Sequence, residues 1–160
     1  MKTLLENSIL VLMVRVFIGL LFIVSSMEKI VDPTAFAGSI ADYKLLPIWS
    51  TTFLATVLPW LELICGFSVL FGVLVRGGSL VLSTMLIVFT LAVIIALFRG
   101  LDISCGCFTQ DPSAAKIGWL KVLQNSTLII STLFLYFSKI ESFTLLQYLQ
   151  KPDPHIEENR

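Results

Sequence analysis

The sequence predicts an all-α protein: a four-helix transmembrane bundle with a short interfacial helix after the first span. Three observations predict it. Hydrophobic residues make up 56% of the 160-residue chain and charged residues only 14%, against roughly 25% charged in soluble domains. The mean hydropathy is +0.91. The apolar residues are gathered into four runs, 8–27, 52–75, 78–98 and 117–137, each near the roughly 20 residues a helix needs to cross a hydrocarbon core. Residues 1–150 therefore read as one domain set in the lipid bilayer. Residues 151–160, polar and with two prolines, read as a disordered tail that holds the only histidine, His155. Eleven basic and eleven acidic residues cancel, so no basic excess points to nucleic acid as a partner.

The first run is interrupted by Arg15 and ends in Met27-Glu28-Lys29 rather than in a small-residue cleavage site, so it reads as a retained helix and not a cleaved signal peptide. Asp32-Pro33 then offers an N-cap followed by proline at the first helical position. Phe36, Ile40 and Tyr43 recur at helical spacing, which predicts the short helix in the interface. Pro59 is expected to kink the second span. Arg76-Gly77 joins the second and third runs, and so short a link demands an antiparallel hairpin. Four crossings put both termini on one face, side A, and segments 28–51 and 99–116 on the other, side B. Trp49 and Trp119 fall where an aromatic belt on side B would lie. Each side carries five Lys or Arg residues, so the positive-inside rule selects no orientation.

Two ionisable residues lie within the apolar runs, where charges are costly and paired or functional. Arg15 is about 10 Å below side A and Glu62 about 15 Å below side B, by helical rise. Their depths agree within about a turn in a core about 30 Å thick. A bidentate Arg15–Glu62 pair is therefore expected, either as a lock between helices one and two or as the polar floor of a pocket for a ligand such as a quinone head group. On helix four, Gln124, Asn125 and Ser126 either bond between helices or line a pocket with amide groups on side B.

The second side-B segment contains Ser104-Cys105-Gly106-Cys107-Phe108. Two thiols around a glycine can reach disulfide geometry in a tight turn. A ring so small closes almost no loop, which makes it a poor staple and an easily reduced bond. Lys29, ending helix one on the same side, is placed to favour a thiolate. Two free thiols, or half of a soft-metal site, are the other readings of the motif. Two sulfurs without a loop histidine do not make a closed zinc site, and no metal is assigned. Cys65, deep in helix two, reads as a packed residue rather than a third redox thiol.

These residues together resemble the MauE/DoxX family of redox-associated membrane proteins. The likeness runs from about 14 to 136 and is carried by Arg15-Val-Phe-Ile-Gly19, Glu28-Lys29, Leu58-Pro59-Trp60-Leu61-Glu62 with Gly66, Cys105-Gly106-Cys107-Phe108, Trp119 and Asn125. Thr109 stands where glycine is expected, and Gln124 where arginine is expected before Asn125. The resemblance implies a bundle somewhat like that of vitamin K epoxide reductase, working beside thioredoxin-like proteins. MauE-like members are tied to maturation of methylamine dehydrogenase, DoxX-like members to thiosulfate–quinone or related complexes.

The resulting expectation is a thiol–disulfide oxidoreductase of a bacterial inner membrane. Cys105 and Cys107 exchange electrons with a thioredoxin-like partner, and Arg15, Lys29, Glu62 and Asn125 bind. No cofactor is held tightly, a membrane quinone is the candidate electron carrier, and homo- or hetero-oligomers are both open. Oxidative chemistry places the cysteine loop outside the cytoplasm and both termini inside. Two rivals stand beside it: a non-enzymatic anchor or assembly subunit of a redox complex, and a carrier of soft metal or sulfur.

Overall fold

The structure is a computed structural model that describes residues 8–101 and 118–138. The Cys105–Cys107 motif, residues 139–150 and the 151–160 tail lie outside the described residues. Those described form five helices: α1 (Ser8–Val31), α2 (Pro33–Asp42), α3 (Ile48–Phe71), α4 (Val75–Phe98) and α5 (Trp119–Phe137). All but α2 are long and apolar enough to cross a membrane.

The polarity of the bundle is that of a protein in lipid. Phe17, Phe53, Ile64, Val88 and Ile130 are exposed on its outside, while Ser26, Ser79, Ser83, Thr90 and Thr132 are buried within. In hydrocarbon an outward leucine or phenylalanine costs nothing, whereas a hydroxyl must find a partner. The inward hydroxyls do so: Ser83 Oγ donates to Thr132 Oγ1 at 2.8 Å, tying α4 to α5. Between the helices lies an apolar core that includes Ile18, Phe22, Val69, Leu82, Leu128 and Leu135.

α1 and α3 approach closely because Gly19 and Gly66 present no side chain. A Cβ on Gly19 would fall 2.8 Å from Leu70 Cβ, and one on Gly66 would fall 3.1 Å from Ile23 Cγ1. These contacts set the register of the pair. Leu70 lies opposite Gly19 and Ile23 opposite Gly66, so the end of α1 arrives near the middle of α3 rather than at its start. α2 also packs on α3.

The short helix begins as the sequence signals. Asp32 Oδ1 accepts from the Ala35 amide at 2.9 Å and from Thr34 Oγ1 at 2.7 Å, and these bonds hold the Asp32 carboxyl below its ordinary range. Of the three residues that were to form its apolar face, Phe36 and Tyr43 are buried and Ile40 is partly so. Tyr43 meets Phe89 edge-on at 5.8 Å, and burial pushes its hydroxyl pKa up. Arg99 Nη1 donates to the Tyr43 carbonyl at 3.2 Å, which fastens the end of α4 beside the end of α2. Trp49 and Trp119 are exposed near the starts of α3 and α5, and Trp119 packs edge-on against Phe98 at the end of α4.

The hairpin between the second and third spans does not turn at Arg76-Gly77. It turns at Gly72, whose φ of 77° is left-handed. The amides of Gly72 and Val73 both donate to the Ser68 carbonyl, a Schellman-type stop that a β-carbon would strain. Arg76 and Gly77 therefore belong to the first turn of α4. Pro59 lies inside α3 without ending it.

Candidate functional site

The ion pair at the centre of the bundle is not the one expected. Lys29 Nζ, near the end of α1, donates to both carboxylate oxygens of Glu62 on α3, at 3.0 and 2.7 Å. Both residues are buried, Lys29 3% and Glu62 8% exposed. The ammonium also stands 5.1 Å from the centre of the Phe36 ring on α2, within range of a cation–π attraction. Three helices thus converge on one buried charge.

The Arg15–Glu62 pair is corrected accordingly. The Arg15 guanidinium lies against Gly72, where a Cβ would come within 2.9 Å of Nη1. Gly72 is ten residues, about 15 Å, further along the chain from Glu62. The carbonyl-rich C-terminus of α3 is a favourable place for a cation. Arg15 and Glu62 do not lie at equal depth because the spans do not share one boundary: α1 runs on to Val31, α3 starts at Ile48, and the glycine contacts slide one against the other. The signal for the real partner was present, since Ile30 and Val31 extend the apolar run past Lys29. Lys29, expected to favour a thiolate in the cysteine loop, has its charge matched by Glu62 in the interior; the loop itself lies outside the described residues.

Beside this pair is a cavity of about 210 Å³. Phe22, Leu58, Met85, Leu86 and Phe89 give it an apolar body, with Lys29, Glu62, Phe36 and Asn125 also on its wall. Asn125 is 1% exposed, and among the described residues neither Nδ2 nor Oδ1 has a hydrogen-bond partner. A buried, unsatisfied amide is expensive, on the order of 1–3 kcal/mol, so the site calls for an occupant that offers a donor, an acceptor or both.

Three of the four expected binding residues, Lys29, Glu62 and Asn125, therefore meet at one cavity, and Arg15 does not. The expected cluster of Gln124, Asn125 and Ser126 also divides. Successive residues on a helix are turned by about 100°, so Gln124 is exposed while Ser126 Oγ donates back to the Val122 carbonyl at 2.7 Å. Phe36, over the ammonium, and the apolar residues of the wall were not among the expected site residues. Cys65 is a half-buried free thiol packed against the core, as expected.

Comparison with known proteins adds a family-level result. Residues 7–138 match the family model described as methylamine utilisation protein MauE. The methylamine utilization protein MauE of Methylophilus methylotrophus is 28% identical over 135 residues, covering 84% of this chain and 71% of the relative. That of Methylorubrum extorquens is 30% identical over 129 residues, covering 80% and 69%. That of Paracoccus denitrificans is 30% identical over 115 residues, covering 71% and 61%. No solved structure matches the chain.

Proposed function

Because the chain belongs to the MauE family, we propose that it serves methylamine utilisation as a multi-pass membrane protein that passes electrons between Cys105–Cys107 and a thioredoxin-like partner. The observation that carries this reading is the Cys-Gly-Cys sequence within the matched segment. The spacing suits a bond that forms and breaks, since its loop is too small to stabilise the fold. In the oxidising direction, a partner thiolate attacks the Cys105–Cys107 bond and forms a mixed disulfide. The partner's second thiol resolves it, leaving the partner oxidised and this protein with two thiols. Two electrons and two protons then pass to a quinone, giving a quinol and restoring the bond. The reverse sequence reduces the partner. Such cycling belongs on the oxidising face of a bacterial inner membrane, with both termini cytoplasmic.

The test is made in the native membrane with the full chain. Cys105→Ser and Cys107→Ser should each abolish thiol exchange, and one of them should accumulate a reductant-sensitive covalent complex with a thioredoxin-like protein. Cys65→Ala should retain exchange. If both serine variants transfer electrons normally, the chain is a non-enzymatic anchor or assembly subunit instead. An impermeant maleimide added to intact, reduced cells should label Cys105 or Cys107. Labelling only after permeabilisation would reverse the orientation.

A further inference from the structure

We propose that the cavity beside Lys29 and Glu62 binds the ring of a neutral, lipid-soluble quinone or quinol, recognised by the Asn125 amide. The assignment of the ring as a quinone rests on the electron route proposed above. The requirement for a neutral, lipid-soluble molecule rests on the cavity alone.

Access gives the first argument. Thr84 and Val88 on the cavity wall are exposed, so the cavity reaches the outer face of α4. They lie nine and thirteen residues beyond Val75, near the middle of the 24-residue span. That outer face is apolar at Ile87, Val88 and Leu91, and a mid-span entrance on it opens to hydrocarbon. Its occupant arrives dissolved in the bilayer.

Charge gives the second. Lys29 and Glu62 neutralise each other at 2.7 Å. A charged ligand would have to break that pair or remain unpaired in an apolar site, and either is costly. The ligand is therefore uncharged.

The free valences give the third. Two Lys29 protons are directed to Glu62 and the ammonium also lies over Phe36. Thr84 Oγ1 donates to the Leu80 carbonyl at 2.9 Å. Among the described polar side chains of the wall, this leaves the Asn125 amide as the group without a partner. A primary amide offers donors at nitrogen and an acceptor at oxygen. It can donate to a quinone carbonyl and accept from a quinol hydroxyl, so one residue suits both oxidation states.

Size gives the last. An apolar cavity of about 150 Å³ holds benzene, so 210 Å³ accommodates one substituted six-membered ring. A hydrocarbon tail would leave through the mid-span opening.

The full chain in phosphatidylcholine nanodiscs, titrated with a decyl-substituted benzoquinone, tests this. Binding should saturate at one ring per chain, above the partition into empty discs. The carbonyl stretch of the bound quinone should fall in frequency, as hydrogen bonding to Nδ2 requires. Asn125→Leu should weaken binding roughly tenfold, the effect of one or two lost neutral hydrogen bonds, and remove the infrared shift. Thr84→Trp, at the mouth and away from the amide, should also weaken binding. The proposal is overturned by absence of saturable binding, in which case water alone satisfies the amide. It is equally overturned by unchanged affinity in Thr84→Trp, by an unshifted carbonyl band in the unmutated protein, or by decane competing as well as the quinone. Repeating the titration with Cys105→Ser/Cys107→Ser separates the two readings. Binding there with no thiol exchange in the native protein sinks the redox role alone, and exchange without binding sinks the cavity alone.

Discussion

Glu62→Leu should destabilise the bundle by about 3–5 kcal/mol, the range for stranding one member of a buried ion pair. Lys29 would keep its charge in a place where it is 3% exposed, with the Phe36 ring but no carboxylate among the described residues to balance it. Lys29→Leu should cost a similar amount, because it strands the carboxylate in the same surroundings. The double variant Lys29→Leu/Glu62→Leu should be less damaging than either single change, since two apolar side chains replace the pair and no buried charge remains. Thermal unfolding of the four proteins in one detergent reads the cycle. Additive losses would mean that Lys29 and Glu62 are not partners. An Arg15→Leu/Glu62→Leu cycle serves as the control and should be additive within about 0.5 kcal/mol, as for distant sites.

Gly19→Leu is expected to have the next largest effect, about 1–3 kcal/mol or more, the usual cost of overpacking. The clash is with the Cα and N of Leu70 at 3.1 Å as well as with its Cβ. A change of rotamer cannot relieve contact with backbone, so α1 and α3 must separate or slide. Either movement takes Lys29 away from Glu62, and the two penalties should compound. Gly38 supplies the comparison, because a Cβ there meets nothing within 4 Å. Gly38→Ala should be neutral or stabilising by up to about 1 kcal/mol, since glycine is the poorer helix former. A Gly19→Leu protein that melts with the unmutated one would show that the helices do not meet as described.

What could be read without the structure follows from local physics. Four spans were legible because crossing a bilayer demands about 20 apolar residues in succession, and the chain supplies such runs four times. The start of α2 was legible because capping is a contact between near neighbours, here Asp32 with Ala35 and Thr34. The turn between α3 and α4 was misplaced because two glycine signals, Gly72 and Gly77, compete within six residues. The αL stop at Gly72 wins because it satisfies two amides at the end of α3.

The candidate site was legible as an inventory and not as an arrangement. Lys29, Glu62 and Asn125 announce themselves as polar groups in apolar surroundings, which the bilayer makes costly. Which of them meet is another matter. Hydropathy fixes how long a span is, yet leaves its sliding along a neighbour free by several residues. In this protein that sliding is decided by Gly19 against Leu70 and Gly66 against Ile23, contacts between residues some 40 to 50 apart in sequence. Only that register carries Lys29 to Glu62, sends Arg15 to the far end of α3, and lets Phe36 close over the ammonium. The helices and the cost of their buried charges follow from the order of residues along the chain; their partners follow from packing, because close approach between distant helices is a property of neither helix alone.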